Sequence, residues 1–310
     1  MIISEWNLYQ VTGTFDNQRT YTQELTQSRQ RKEEKYNAAR THRQGRPGDR
    51  QAAALTTHFT PLTNTNTSGG TKSIGHAIVQ GFLHEGAIVH FCSRTTADVD
   101  RAAKEFTLGS GAEAHGATVD VSQPDQIKTW VQSVADSHNG RIDVVVSNVS
   151  ALAVLNTPEN WDATFATDIK GTHTLIEAAT PFLKETKGNI INISSVSGRY
   201  IDFTAPGAYG SFKAALLHYI SQLGHTLAKD GVRANSVSPG NIYVEDGFWG
   251  QVERGMPEFF AEQMKANRMG RMGKPEEVAD AVVWLASDRA SFVNGTNLLV
   301  DGAVSTAVQF

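Results

Sequence analysis

Ser68-Gly69-Gly70-Thr71-Lys72-Ser73-Ile74-Gly75 is a glycine-rich turn, and the stretch that follows it, His76-Ala77-Ile78-Val79-Gln80-Gly81-Phe82-Leu83, spaces its apolar residues as an amphipathic helix does. A turn that opens a helix presents free amides and the positive end of the helix dipole, which suit a phosphate. Ala87-Ile88-Val89-His90-Phe91-Cys92 comes next, an apolar run of strand length, and after it Ser93 and Arg94. Turn, helix and strand in this order make a βαβ dinucleotide unit. Its second strand ends on an acid where it meets a free ribose 2′-hydroxyl, or on a cation where it meets a 2′-phosphate. With Arg94 at that place and Lys72 in the turn, the sequence favours NADP over NAD.

Beyond residue 86 short apolar runs alternate with helical stretches. Strands are expected near 87–92, 113–119, 142–147, 188–194, 232–237 and 297–300, and helices near 74–85, 96–107, 123–138, 159–184, 207–229 and 275–287. Such alternation predicts an α/β fold: a doubly wound, Rossmann-type parallel sheet with helices on both faces, in one domain over 58–310. Ligands then bind at the carboxyl ends of the strands, where Gly69, Arg94, Asn148, Ser195 and Pro239 all fall. With 310 residues, 40% of them hydrophobic, and a net charge of -4, the chain can bury one substantial core and has no charge excess that would draw nucleic acid. The single cysteine, Cys92, excludes a disulfide framework and points to a reducing, cytoplasmic setting. No stretch reaches the roughly 20 apolar residues that span a bilayer. The scattered histidines indicate no metal.

Tyr209 and Lys213 stand four residues apart in Ala208-Tyr209-Gly210-Ser211-Phe212-Lys213, a short way after the run ending in Ile193-Ser194-Ser195. On a helix they share a face, so the ammonium can lie beside the phenol. A neighbouring cation favours the phenolate and makes the tyrosine an acid/base at neutral pH, while a serine at the strand end can hold a substrate oxygen against it.

Together these motifs resemble the short-chain dehydrogenase/reductase family, in the layout of 3-oxoacyl-carrier-protein reductases. The resemblance spans about 66–310 and rests on the Gly turn, Asp120-Val121-Ser122, Ser147-Asn148-Val149-Ser150, Asn192-Ile193-Ser194-Ser195, Tyr209 to Lys213, Ser238-Pro239-Gly240, Gly270 to Val278 and Val300-Asp301-Gly302-Ala303, in the family's order. It implies a catalytic set in which Ser195 polarises the carbonyl, Tyr209 is the acid/base, Lys213 assists it and holds the nicotinamide ribose, and Asp168 supports a proton relay partly through its backbone carbonyl while adding a charge near Lys213. It implies a cofactor site of Gly69, Thr71, Lys72, Ser73, Ile74 and Gly75 in the turn, then Ser93, Arg94, Asp120 against the adenine, Val121, Asn148, Tyr209, Lys213, Pro239, Gly240, Ile242 and Val244. Homodimers or homotetramers are expected by the same resemblance. The sequence departs from the family pattern at Ser73, a glycine in the family; at Val149-Ser150, usually Ala-Gly; at Asp168, usually Asn; and at Val244, usually Thr. One extra residue separates Ser195 from Tyr209.

The segment between Pro239 and Gly270 carries Phe248, Trp249, Phe259, Phe260 and Met264, an apolar lid over the substrate or the packing of a short helix. It carries no cluster of cations for a substrate carboxylate or phosphate. The expected activity is therefore NADP(H)-dependent interconversion of a ketone and a secondary alcohol on a neutral, fairly apolar small molecule. The alternative is a protein that keeps this fold without redox activity, as a non-redox biosynthetic catalyst or a binding partner. Residues 1–57 read as a polar, non-core extension with no secretory signal at Met1–Trp6. The slot for the first strand, His58 to Thr67, contains proline and asparagine, which suit a central parallel strand poorly. Either that strand is degraded, or this N-terminus replaces the family's usual start.

Overall fold

The computed structural model describes residues 64–109, 113–202, 204–205 and 207–306. The expected extension, with Pro61, lies outside them. Seven strands form one parallel sheet: β1 (Asn64–Ser68), β2 (Ile88–Ser93), β3 (Ala114–Thr118), β4 (Val144–Ser147), β5 (Asn189–Ile193), β6 (Arg233–Pro239) and β7 (Asn297–Val300), in the order β3-β2-β1-β4-β5-β6-β7. The connecting helices are α1 (Ser73–His84), α2 (Thr96–Gly109), α3 (Pro124–Ser137), α4 (Pro158–Thr164), α5 (Thr172–Thr186), α6 (Ala208–Thr226), α7 (Phe248–Gly255), α8 (Pro257–Ala266) and α9 (Pro275–Ala286). The order reverses between β1 and β4, and the crevice at their carboxyl ends is where such folds bind ligands.

Strands buried on both faces must be apolar on both, and β4 shows the division. Val144 and Val146 pack with Phe82 of α1 and Val282 of α9, whereas Val145, one residue out of phase, packs with Val131 of α3 and Ile176 of α5. Two core layers result, one on each face of the sheet.

β1 departs from that rule. Its sequence is Asn64-Thr65-Asn66-Thr67-Ser68, yet it holds the centre of the sheet, pairing Thr65 with Val89 of β2 and with Val144 of β4. Thr65, Asn66 and Thr67 are fully buried, and their side-chain polar atoms have no hydrogen-bond partner among the described residues. The strand forms because two apolar neighbours supply its backbone ladders, β2 along its whole length and β4 over Thr65, Asn66 and Thr67, not because its own side chains favour the place.

The helix expected over 159–184 is also interrupted. Between α4 and α5 the chain makes a π-helical stretch, Phe165–Gly171. A π turn takes one more residue than an α turn and shifts the register of the side chains. Here Asp168 ends fully buried.

Candidate active site

A cavity of about 520 Å³ opens at the carboxyl ends of the strands. Its walls come from the turn after β1, the ends of β2 and β4, the segment after β5, the start of α6 and the loop after β6.

The turn is fixed by close approach. Gly69 has φ +72°, and its N–H donates to the Cys92 carbonyl at 2.9 Å. A Cβ on Gly75 would stand 2.0 Å from the Gly69 carbonyl oxygen, so only glycine lets α1 begin this close to the turn. Ser73, the residue in place of the family glycine, also lies in the left-handed region, at φ +54°. Its side chain carries there a strain that glycine would not. Asn148 ties the turn to β4: its side-chain amide donates to the Ser68 and Gly69 carbonyls, each at 3.3 Å.

The two expected cations differ. Lys72 pairs with Asp98 of α2 at 2.8 Å, and the same carboxylate meets Arg101 at 3.0 Å. The hydrogen bond from Lys72, more than any other cause, holds the Asp98 carboxyl below its ordinary range. Arg94 is exposed on the cavity wall and has no ion pair or hydrogen bond among the described residues. Lys72 is therefore a paired residue, because α2 presents Asp98 to it.

Ser195 caps a short 3₁₀ turn, Val196–Gly198, that lies against the first turns of α6; a Cβ on Gly210 would meet the Ser197 carbonyl at 2.8 Å. Ser195 and Tyr209 both line the cavity. On α6 the Lys213 ammonium lies 5.8 Å from the centre of the Tyr209 ring, as the four-residue spacing predicts, and donates to the Ile193 carbonyl at 3.1 Å. Lys213 is buried and pairs with Asp168, also buried, at 3.2 Å. The charge expected near Lys213 is thus in place, and the Asp168 side chain takes two more donors: Oδ1 accepts from the Ala151 N–H at 2.8 Å and Oδ2 from the Ser150 hydroxyl at 2.7 Å. Two departures from the family pattern, Ser150 and Asp168, thus bind each other.

The cavity gathers Gly69, Lys72, Ser73, Ile74, Gly75, Ser93, Arg94, Val121, Asn148, Ser195, Tyr209, Lys213, Pro239, Gly240, Ile242 and Val244. Thr71 and Asp120 do not line it. Thr71 is buried, and the Asp120 carboxylate turns back to the Ser122 N–H at 2.9 Å and hydroxyl at 2.8 Å, capping its own turn. Of the expected lid aromatics, Phe248 and Trp249 reach the cavity wall. Phe259, Phe260 and Met264 do not: Phe259 stacks on Trp249 and Phe260 packs on Tyr243, so α8 backs the lid rather than forming it. Sequence reasoning missed Ser197 and Asp202, which also face the cavity; their polar character within the loop between β5 and α6 was the available signal. No described helix is long and apolar enough to cross a membrane.

A family model described as Enoyl-(Acyl carrier protein) reductase matches residues 69–305. The isoepoxydon dehydrogenase of Penicillium expansum is 40% identical over 246 residues, 78% of this chain and 95% of that protein. A 3-oxoacyl-[acyl-carrier protein] reductase from Brucella melitensis, solved with bound NAD, superposes with a TM-score of 0.70 at 29% identity, covering 85% of this chain and 99% of that one. The L-sorbose reductase of Gluconobacter frateurii, solved with NADPH and L-sorbose, gives a TM-score of 0.70 at 25% identity over 79% of this chain and 97% of the other.

Proposed function

The chain belongs to the short-chain dehydrogenase/reductase family, and from that premise we propose that it interconverts a ketone and a secondary alcohol with NADP(H), acting on a neutral small molecule of a biosynthetic sequence. Members of the family are oxidoreductases that bind a nicotinamide cofactor. The observation that carries the reading is the meeting of Ser195, Tyr209 and Lys213 on the wall of one cavity with the glycine turn. The residues present fit the cofactor. The turn leaves no room for a Cβ at Gly75, α1 begins at the turn with its amides free for a diphosphate, and Arg94 stands without a partner among the described residues where a 2′-phosphate would lie. When bound, the nicotinamide supplies or takes up the hydride.

The chain's own residues manage the oxygen and the proton. Ser195 holds the carbonyl oxygen, and Tyr209 gives it the phenolic proton as the alcohol forms. Lys213 keeps a positive charge beside the ring as the phenolate develops, and its bonds to Ile193 and Asp168 fix where that charge stands. Leu152, Val154, Phe248 and Trp249 give the substrate end apolar walls that exclude water. The relative named for isoepoxydon and the structure solved with L-sorbose support a small CH–OH substrate.

Titration of the purified protein with NADPH, followed by tryptophan fluorescence, tests the reading together with turnover of the Tyr209→Phe variant. Binding below millimolar cofactor and a loss of at least about a hundredfold in turnover, with NADPH affinity kept, are expected. No binding up to millimolar cofactor sinks the redox reading and leaves the non-redox one.

A further inference from the structure

Asp202 contributes the one carboxylate among the described residues that line the cavity. It lies in the loop between the Ser195 turn and α6, and it is joined to the reacting centre: Ser195 Oγ donates to Ser197 Oγ at 3.1 Å, and Ser197 Oγ donates to Asp202 Oδ2 at 2.7 Å. Oδ1 accepts from both the N–H of Thr204, at 2.9 Å, and its hydroxyl, at 2.5 Å. A carboxylate offers about four acceptor positions. Among the described residues three are used, and the open one is on Oδ2, the oxygen bonded to Ser197. The same cavity is lined by the apolar Leu152, Val154 and Phe248.

We infer that Asp202 is a specificity-determining residue that accepts a hydrogen bond from a second hydroxyl of the substrate, so that the substrate class is a compact hydroxy ketone, or the corresponding diol, rather than a plain apolar ketone. The inference rests on the redox reading above. Ser195 holds the reacting oxygen, and Asp202 stands two hydrogen bonds beyond it. The recognised hydroxyl therefore sits on the carbon next to the carbonyl or one removed. The same charge repels a substrate carboxylate or phosphate. An ammonium group would bring three donors to a single open acceptor, which makes a hydroxyl the better match. A plain ketone filling the cavity would take water from the open lone pair without replacing it, so it is disfavoured as well as less strongly held.

The test compares NADPH-dependent reduction of 2-hydroxycyclohexanone, cyclohexanone and the cationic ketone N-methyl-4-piperidone by the whole chain, and by Asp202→Asn. In the wild type, kcat/KM is expected to favour the hydroxy ketone over cyclohexanone by roughly ten- to a hundredfold, the range for a hydrogen bond to a charged group. In Asp202→Asn that ratio is expected to fall to within about threefold of parity. Equal wild-type values for the two neutral ketones, a preference for the cationic ketone, or an equal loss on all ketones in the variant overturns the assignment. Failure to bind NADPH removes the redox reading beneath it, whereas binding with no turnover of the hydroxy ketone removes the substrate class alone.

Discussion

Asp168→Asn separates the charge of the buried pair from its shape. The carboxylate serves three donors: Ala151 N–H on Oδ1, with Ser150 Oγ–H and Lys213 Nζ on Oδ2. An amide cannot replace it. With its oxygen toward Ala151, its NH₂ confronts the Lys213 ammonium at a separation of 3.2 Å in the parent; with the oxygen toward Lys213, the NH₂ confronts the Ala151 N–H. Either orientation sets donor against donor and leaves a buried cation without its anion. Breaking such a pair costs about 3–5 kcal/mol. For a unit of this size about 1 kcal/mol moves the midpoint by about 2–4 °C, so the variant should melt roughly 6–20 °C lower. Restoring the asparagine usual in the family is therefore expected to harm this chain. Thermal unfolding followed by circular dichroism measures the shift. The double variant Asp168→Leu with Lys213→Met should recover most of the stability while staying inactive, since an apolar pair of similar volume replaces a buried ion pair at little net cost. A midpoint within about 2 °C of the parent for Asp168→Asn, less than 1 kcal/mol on the same scale, refutes the reasoning.

Ser73→Gly removes a left-handed residue worth about 1–2 kcal/mol of strain but loosens the unfolded chain by about 0.4–1 kcal/mol, so a gain of up to about 1.6 kcal/mol is expected in denaturant titration; a clear loss would mean that the hydroxyl is used. Arg94→Ala should weaken NADPH by about one to two orders of magnitude and NADH far less, with Lys72→Ala changing the ratio less because Asp98 already holds Lys72; fluorescence titration of both cofactors decides, and an unchanged ratio for Arg94→Ala moves the determinant elsewhere. His90, buried on β2 and 2.8 Å from His138, has its pKa lowered from 6.5 to about 4, first by burial and then by His115 and His138. The folded state thus resists protonation that the unfolded chain accepts. Its contribution is whole above pH 6.5 and is lost as pH falls toward 4, a change of about 3 kcal/mol across that window. Denaturant midpoints of His90→Leu should vary less between pH 7 and pH 4 than those of the parent, and matching slopes would count against it.

Much of this fold is legible because doubly buried strands cannot hide their composition. Ile88 to Cys92, Val144 to Val146 and Ile190 to Ile193 announce themselves as apolar runs, and the turn from Ser68 to Gly75 fixes the polarity of the unit. The pairing of Tyr209 with Lys213 follows from helical periodicity alone. Contacts between distant departures do not. Ser150 and Asp168 stand 18 positions apart, and Asp168 meets Ser150 from a π turn that no local propensity encodes. The loss of Lys72 to Asp98 likewise depends on where α2 is laid, a tertiary fact. Asp202 was invisible for another reason: a carboxylate in a loop reads as solvated until the loop is seen to fold over the cavity.

β1 is where composition and position disagree most, and the disagreement bears on the site. Each buried polar atom without a partner costs about 1–3 kcal/mol, a sizeable share of a net stability of about 5–15 kcal/mol. Thr65, Asn66 and Thr67 carry several such atoms among the described residues. The carboxyl end of the strand is better provided. Ser68 Oγ accepts from the Asn148 N–H at 3.0 Å, and the Ser68 carbonyl accepts from the Asn148 side chain at 3.3 Å. These bonds are also the ones that shape the glycine turn. The least apolar strand of the sheet thus adds side-chain bonds to its backbone ladder where it meets the cavity. A ligand that binds only the folded chain stabilises it by mass action. NADPH held at the turn is therefore expected to raise the melting midpoint of this chain, and an unchanged midpoint at saturating NADPH would count against cofactor binding there.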